Sequence, residues 1–395
     1  MFFSRTLAKK FERYVKFPVI VVQGPRQSGK TTLVRHYFKN YKYINLEKPE
    51  DRDFAINDPE GFLAKYENKN GIIIDEFQYA PQLLSYIQVD VDEKKRSGYF
   101  ILTGSQNFLM NQNITQSLAG RVGILTLLPF SNKELITNKI NSQDYNKAII
   151  NGCYPRLYEK EMLPEELYPS YIQTYVERDA RQVISIDSLK TFQKFIALCA
   201  GRIGQLLNIS EISMNCGIDR KTADKWISIL EASYILFMLQ PYFKNYNKRI
   251  TKTAKIYFYD TGLACSLLKI RTADDLALSP FRGHLFENFI IADFYKQYYN
   301  RAINPPLYFW RDQNGIIEID CIVDKGSKQI PIEIKSGATI APTFFRSLGL
   351  WSQIADKDPK NGYIIYGGES VQLRKSGHVL GWKEATDLME KIEKS

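Results

Sequence analysis

The stretch "GPRQSGKT", residues 24–31, decides how this chain must begin to fold. It has the spacing G-x-x-x-x-G-K-T. A β-branched run, "FPVIVVQ", precedes it, and "KTTLVRHYFKNY" follows with the apolar rhythm of an amphipathic helix. Gly24 and Gly29 allow backbone conformations that a Cβ would forbid. Successive N–H groups can therefore turn inward around phosphate oxygens. The helix N-terminus adds a partial positive charge at the same place. In such a loop Lys30 reaches the β- and γ-phosphates and Thr31 offers its hydroxyl to Mg2+. Pro25, Arg26, Gln27 and Ser28 complete the cradle, and Thr32 continues the helix. The expected ligands are ATP and Mg2+.

Four further apolar runs lie within residues 1–130: "YKYINLE", "GIIIDE", "YFILTGS" and "VGILTLL". Amphipathic stretches separate them, which predicts an α/β fold with a parallel sheet covered by helices on both faces. "GIIIDEFQ" reads as a fully buried strand closed by Asp75. Acids closing a buried strand are costly unless a cation or a solvent cleft receives them. Asp75 is thus the expected Mg2+ carboxylate, and Glu76 the residue that polarises the attacking water. In "YFILTGSQNF", Thr103, Ser105, Gln106 or Asn107 can bond the γ-phosphate or the water, with Ser105 preferred. Arg121 in "SLAGRV" sits between a helix and the fifth strand. There it can either reach a neighbouring subunit's γ-phosphate or satisfy helix C-terminal carbonyls.

The chain has 395 residues, room for two or three domains. Hydrophobic content of 44% and charged content of 24% are ordinary for a globular protein. The net charge of +10 is compatible with a polyanionic partner. Five cysteines, with no C-x-x-C pair, argue against a disulfide framework or a cysteine zinc site. The N-terminus lacks a signal-peptide pattern and no long apolar run follows, so the expectation is a cytoplasmic protein without a membrane span.

Residues 131–185 read as a helical lid or linker, 186–272 as a small helical module ending in a β-hairpin, and 273–395 as a further α/β domain. Together "GPRQSGKTTL", "GIIIDEFQ", "ILTGS" and "SLAGRV" resemble the bacterial and archaeal AAA-type ATPases that carry an uncharacterised C-terminal region. The resemblance continues through "NGCYPRLY", "YIQTYVERD" and "PYFKNYNKRITKTAKIYFYDTGL" and covers nearly the whole chain. It implies that Arg121 is an arginine finger acting in trans, and hence a homo-oligomer. For a sensor-2 arginine, Arg156, Arg178 and Arg181 remain equal candidates.

The segment "NISEISMNCGIDRKTADKWISILEASYILFML" has the rhythm of two helices joined by a tight turn. Gly217 breaks the pattern and Asp219 is placed to cap the second helix. That helix buries Ala223, Ile227 and Leu230 and exposes Arg220, Lys221 and Lys225. Between Gln240 and Tyr259 the chain holds Lys244, Lys248, Arg249, Lys252 and Lys255 and no acid. This is the pattern of a winged helix that contacts DNA, with Arg220, Lys221, Lys225, Lys248 and Arg249 as its cations. A protein-binding or purely structural winged helix is the other reading.

The last segment, "GIIEIDCIVDKGSKQIPIEIKSG", folds on paper into a hairpin around Gly326-Ser327. The register demanded by the apolar pattern sets Val323 opposite Ile330, Cys321 opposite Ile332, Asp320 opposite Glu333 and Glu318 opposite Lys335. Two like charges face each other, so something positive, such as Mg2+ or Mn2+, should lie between them. Glu287 falls on the core face of "HLFENFIIADFYKQYY" and also needs a partner. Glu287, Asp320 and Glu333-x-Lys335 resemble the PD-(D/E)xK nucleases, which implies a nuclease-like fold. Pro331 lacks a ladder donor and points to an edge strand. The whole reads as an ATPase coupled to DNA binding and cleavage. The alternative is a nucleotide-switched DNA-binding or scaffold protein whose nuclease-like domain is inert.

Overall fold

A computed structural model describes residues 2–105, 118–175, 189–243, 253–312 and 315–394, with only the backbone of Ser105 and Tyr175. The chain divides into two compact units.

The first unit comprises Met1–Phe130 and two returning segments, Ala232–Tyr234 and Tyr299–Ile303. Its strands are β1 (Val19–Gly24), β2 (Lys42–Asn45), β3 (Ile72–Asp75), β4 (Phe100–Ser105) and β5 (Val122–Thr126). They form a five-stranded sheet in the order β2-β3-β4-β1-β5. Every pairing is parallel. Parallel pairing requires helical crossovers, which bury both faces. Val19, Val21, Ile72, Ile74, Phe100 and Leu102 pack on one side against Phe62, Leu84 and Ile87. On the other side Ile20, Val22, Ile73 and Ile101 pack against Leu33 and Val34 of helix α1 (Lys30–Tyr37) and against Leu7 and Phe11. The expected covered parallel sheet is therefore present.

The second unit holds helices and an eight-stranded sheet. Its strands are β6 (Leu236–Pro241), β7 (Lys255–Phe258), β8 (Leu307–Arg311), β9 (Glu318–Asp324), β10 (Gln329–Lys335), β11 (Tyr363–Tyr366), β12 (Gln372–Arg374) and β13 (Gly377–Gly381). Their order is β12-β13-β11-β10-β9-β8-β6-β7. Helices α2 (Ile209–Cys216) and α3 (Arg220–Ala232) form the expected tight pair. Gly217 ends α2 with φ 71°, and the Asp219 carboxylate accepts from Thr222 N at 2.9 Å. Ala223, Ile227 and Leu230 are buried as their spacing predicts.

The two strands after that pair do not stand apart as a wing. β6 pairs with β7 but also, in parallel, with β8, so the sheet runs across the sequence boundary at residues 272 and 273. The β9–β10 hairpin has the register the apolar pattern demands, with Val323 opposite Ile330 and Cys321 opposite Ile332. Pro331 does not mark an edge. β10 lies between β9 and β11, and the β11 ladder begins only at Ile332, one residue past the proline. Helix α4 (Arg282–Tyr299) is buried almost all round from Leu285 to Tyr298. Among the described residues no helix is long and apolar enough to cross a membrane.

Candidate nucleotide site and a buried acid cluster

β1 delivers its C-terminal residue, Gly24, straight into the loop. Gly24 has φ 147°, and a Cβ there would lie 2.1 Å from the carbonyl oxygen of Leu127. Gln27 and Gly29 also take left-handed conformations, with φ 61° and 92°. Alternation of this kind curls backbone N–H groups to one side. The Lys30 ammonium is buried and donates to the carbonyls of Gly24 at 3.0 Å and Pro25 at 2.8 Å. Two polar atoms of the loop, Ser28 Oγ and Gln27 Oε1, are buried without a hydrogen-bond partner. A loop with backbone curled in this way, a buried lysine held on its carbonyls and orphaned polar atoms fits a phosphate chain. A residue that local pattern reading missed supports it from behind. Arg5, itself buried, donates to the carbonyls of Ser28 at 2.7 Å and Leu128 at 2.5 Å.

Strand alternation sets the other wall. In the sheet register Asp75 lies beside Thr103 and Tyr43 beside Ile73, so Tyr43, Asp75 and Thr103 share a face with α1. Thr31 Oγ1 donates to Asp75 Oδ2 at 2.9 Å and Tyr43 Oη to the same oxygen at 2.8 Å. Thr103 Oγ1 donates to Asp75 Oδ1. Thr103, weighed as a γ-phosphate contact, is thus a partner of the carboxylate. Burial, followed by the charge of Asp75, pushes the Tyr43 hydroxyl well up, so it stays a donor at neutral pH. Thr31 and Asp75 together form a hard oxygen pair suited to Mg2+. Glu76 follows with φ 55°, a strained left-handed conformation for a non-glycine residue, and its carboxylate accepts from the Gln78 amide. Thr32 continues α1 as expected.

Arg121 precedes β5 and makes a two-pronged ion pair with Asp92, at 2.6 and 2.8 Å, and donates to Ala119 O at 3.1 Å. Arg156 is exposed. Gln106, Asn107, Arg178, Arg181, Lys248 and Arg249, and the side chain of Ser105, lie outside the described residues. Arg220, Lys221 and Lys225 are exposed at the start of α3, with Arg220 3.8 Å from Asp224.

The second unit brings Glu287, Asp320, Glu333 and Lys335 together. All three acids are buried and feel one another's charge. The cation between Asp320 and Glu333 is a side chain: Lys335 Nζ lies 2.6 Å from Glu333 and 3.4 Å from Asp320. Asp320 Oδ2 also accepts from Ile334 N at 2.7 Å. Glu318 does not pair with Lys335. It meets Lys255 at 2.5 Å and Arg311 at 3.7 Å, because β8 sets Arg311 directly opposite it. Lys255, which reads in sequence as part of a basic hairpin, is 2% exposed and also contacts Glu287 at 3.2 Å. Burial opposes its charge, yet Glu287, Asp320 and Glu318 hold its pKa above the usual range. Burial, offset in part by Lys255 and reinforced by Asp320, pushes Glu287 up to about 7. Among the described residues no group of three or more histidines, cysteines and acids is disposed to hold a metal ion. The cysteines are all free thiols.

The first unit thus has the covered parallel sheet and phosphate loop of a P-loop fold. Residues 16–136 match the AAA domain. Residues 142–274 and 282–385 each match a domain of unknown function. An uncharacterised protein of Mycobacterium tuberculosis is 29% identical over 356 residues, covering 89% of this chain and 77% of that protein. Another, from Methanocaldococcus jannaschii, is 22% identical over 82% of this chain and 77% of its own length. A Walker-type ATPase of Pyrococcus abyssi is similar in structure over 66% of this chain and 94% of that chain, with a TM-score of 0.45 and 15% identity.

Proposed function

We propose that the chain hydrolyses ATP with Mg2+ and couples that cycle to DNA. The observation that carries the ATPase reading is the 2.9 Å bond between Thr31 and Asp75, which joins the phosphate loop to the carboxylate closing β3. Lys30 would exchange loop carbonyls for phosphate oxygens, and Thr31 and Asp75 would hold the metal, which when bound would supply positive charge against the phosphates. Glu76, oriented by Gln78, polarises water, and Ser105 at the end of β4 is proposed to bond the γ-phosphate or that water. Arg121 leaves Asp92 for the phosphate of a neighbouring copy, which makes the active form a homo-oligomer. Phosphate release tests this: Lys30→Ala should lose nucleotide binding, and Glu76→Gln should bind ATP but turn over about 100-fold slower or worse. Unchanged rates in both variants would defeat the assignment.

DNA contact is proposed through Arg220, Lys221 and Lys225 at the start of α3, with Lys248 and Arg249 from the following basic segment. Supporting this is the exposed cationic first turn of the second helix in a tight pair. Binding that ignores salt concentration would count against it. For the acid cluster two readings stand. Cleavage requires Glu287, Asp320 and Glu333 to hold Mg2+ or Mn2+ beside Lys335. The ion pairs of Lys255 and Lys335 favour an inert, structural cluster in a nucleotide-switched DNA-binding protein. An assay on single- and double-stranded DNA with Mg2+ and Mn2+ separates them. Cleavage abolished by Asp320→Ala or Lys335→Ala supports the nuclease, and no cleavage of any substrate supports the inert cluster.

A further inference from the structure

Asp75 is held by three hydroxyls from three different elements: Thr31 of α1, Tyr43 of β2 and Thr103 of β4. Their distribution over the two oxygens is uneven. Oδ1 accepts from Thr103, and Oδ2 accepts from both Thr31 and Tyr43. A threonine hydroxyl that turns to a metal can no longer serve Oδ2. Tyr43 would then be the remaining one of these donors on that oxygen. With Thr103 on one oxygen and Tyr43 on the other, the carboxylate plane stays fixed. Without Tyr43 it is pinned on one side only and can turn about its last torsion, which is broad for aspartate.

The placement of Tyr43 is itself built. It lies on the same face of the sheet as Asp75, two residues before the end of β2. The guanidinium of Arg35 lies over its ring at 4.5 Å. Arg35 is one helical turn beyond Thr31 on α1, so the helix that begins at the phosphate loop also steadies the tyrosine. Tyr43 is half-buried, with its ring under Arg35 and its hydroxyl on the acid.

We infer that Tyr43 is a positioning residue for the metal half of the nucleotide site. It holds Asp75 aimed at Mg2+ when Thr31 turns from the acid to the ion, and Arg35 holds Tyr43. Outer partners of metal ligands typically contribute 10- to 100-fold in affinity. This inference rests on the ATPase reading, and its test keeps the two apart.

The test is equilibrium binding of a non-hydrolysable ATP analogue to the full chain, in EDTA and again in Mg2+, with the unfolding midpoint in EDTA as a folding measure. The wild type should bind more tightly with Mg2+. Tyr43→Phe, which removes one oxygen atom, should lose about tenfold of that Mg2+-dependent gain. Its affinity in EDTA and its unfolding midpoint should match the wild type. A full Mg2+ gain in Tyr43→Phe, while Asp75→Asn loses the gain, overturns the inference and leaves the ATPase reading intact. Equal weakening in both buffers with a lowered midpoint also overturns it, because that is the behaviour of a merely structural residue. If the wild type binds in neither buffer, the ATPase reading falls and the inference falls with it.

Discussion

Glu287 shows how one residue's surroundings override its chemistry. It sits on α4 with Lys255 at 3.2 Å and the Tyr257 hydroxyl bonded to it, yet burial and the nearby acids push its pKa up to about 7. A raised carboxylate pKa favours the folded state at low pH. That contribution is complete below the unfolded value of 4.5 and is lost as pH rises to about 7. Glu287→Gln carries no such titration. Chemical unfolding should therefore find the variant gaining about 2 to 3 kcal/mol on the wild type between pH 5 and pH 8. A stability gap that does not change with pH would refute this account. Gly24 makes the same point through sterics: with a neighbouring carbonyl 2.1 Å from any Cβ, no other residue fits without moving backbone.

Among elements, β7 carries the most consequence. It ends the eight-stranded sheet, so its outer N–H and C=O groups need partners. Gly204 N donates to Ile256 O at 2.8 Å and Ile256 N to Gln205 O at 3.1 Å. The Asn288 side chain of α4 then closes Phe258, accepting from its N at 2.7 Å and donating to its O at 2.9 Å. Asn288 is completely buried, and so is Phe258. Asn288→Ala would strand both groups, at a cost of about 2 to 4 kcal/mol. Urea titration checks this, and a loss below about 0.5 kcal/mol would mean the groups find other partners. β7 also plants Lys255 and Tyr257 on Glu287, so one short strand closes the sheet and brings a cation to Glu287 and Glu318.

At the scale of the molecule, the two units are not two consecutive lengths of chain. Ala232–Tyr234 and Tyr299–Ile303 return to the first unit. There Ala302 packs against the α1 side of the sheet, and the Tyr234 hydroxyl lies 3.4 Å from Thr126 Oγ1. A fragment ending at residue 130 lacks both segments and should melt at a lower temperature than the same unit in the full chain. Ligand linkage supplies a matching measurement. ATP analogue with Mg2+ at 100 times its dissociation constant should stabilise the first unit by about 2.7 kcal/mol. In calorimetry the transition that contains this unit should rise with nucleotide, and a scan indifferent to nucleotide would reject the site.

Sequence alone determined the parallel sheet, the phosphate loop, the acid closing β3, the α2–α3 turn and the register of β9 with β10. Each depends on periodicity or spacing within a few dozen residues, and a one-residue slip would turn apolar side chains outward. Tertiary structure decided the rest. Arg5, Tyr43 and Lys255 carry no local signal, since what each does depends on which strand or loop comes to lie beside it. Lys255 shows why most plainly. In its own segment it is one basic residue among several, and only the neighbouring helix and β9 bring the acids that make a buried ammonium tolerable. The same holds for Lys335, which becomes the cation between Asp320 and Glu333 once the hairpin is buried in the sheet.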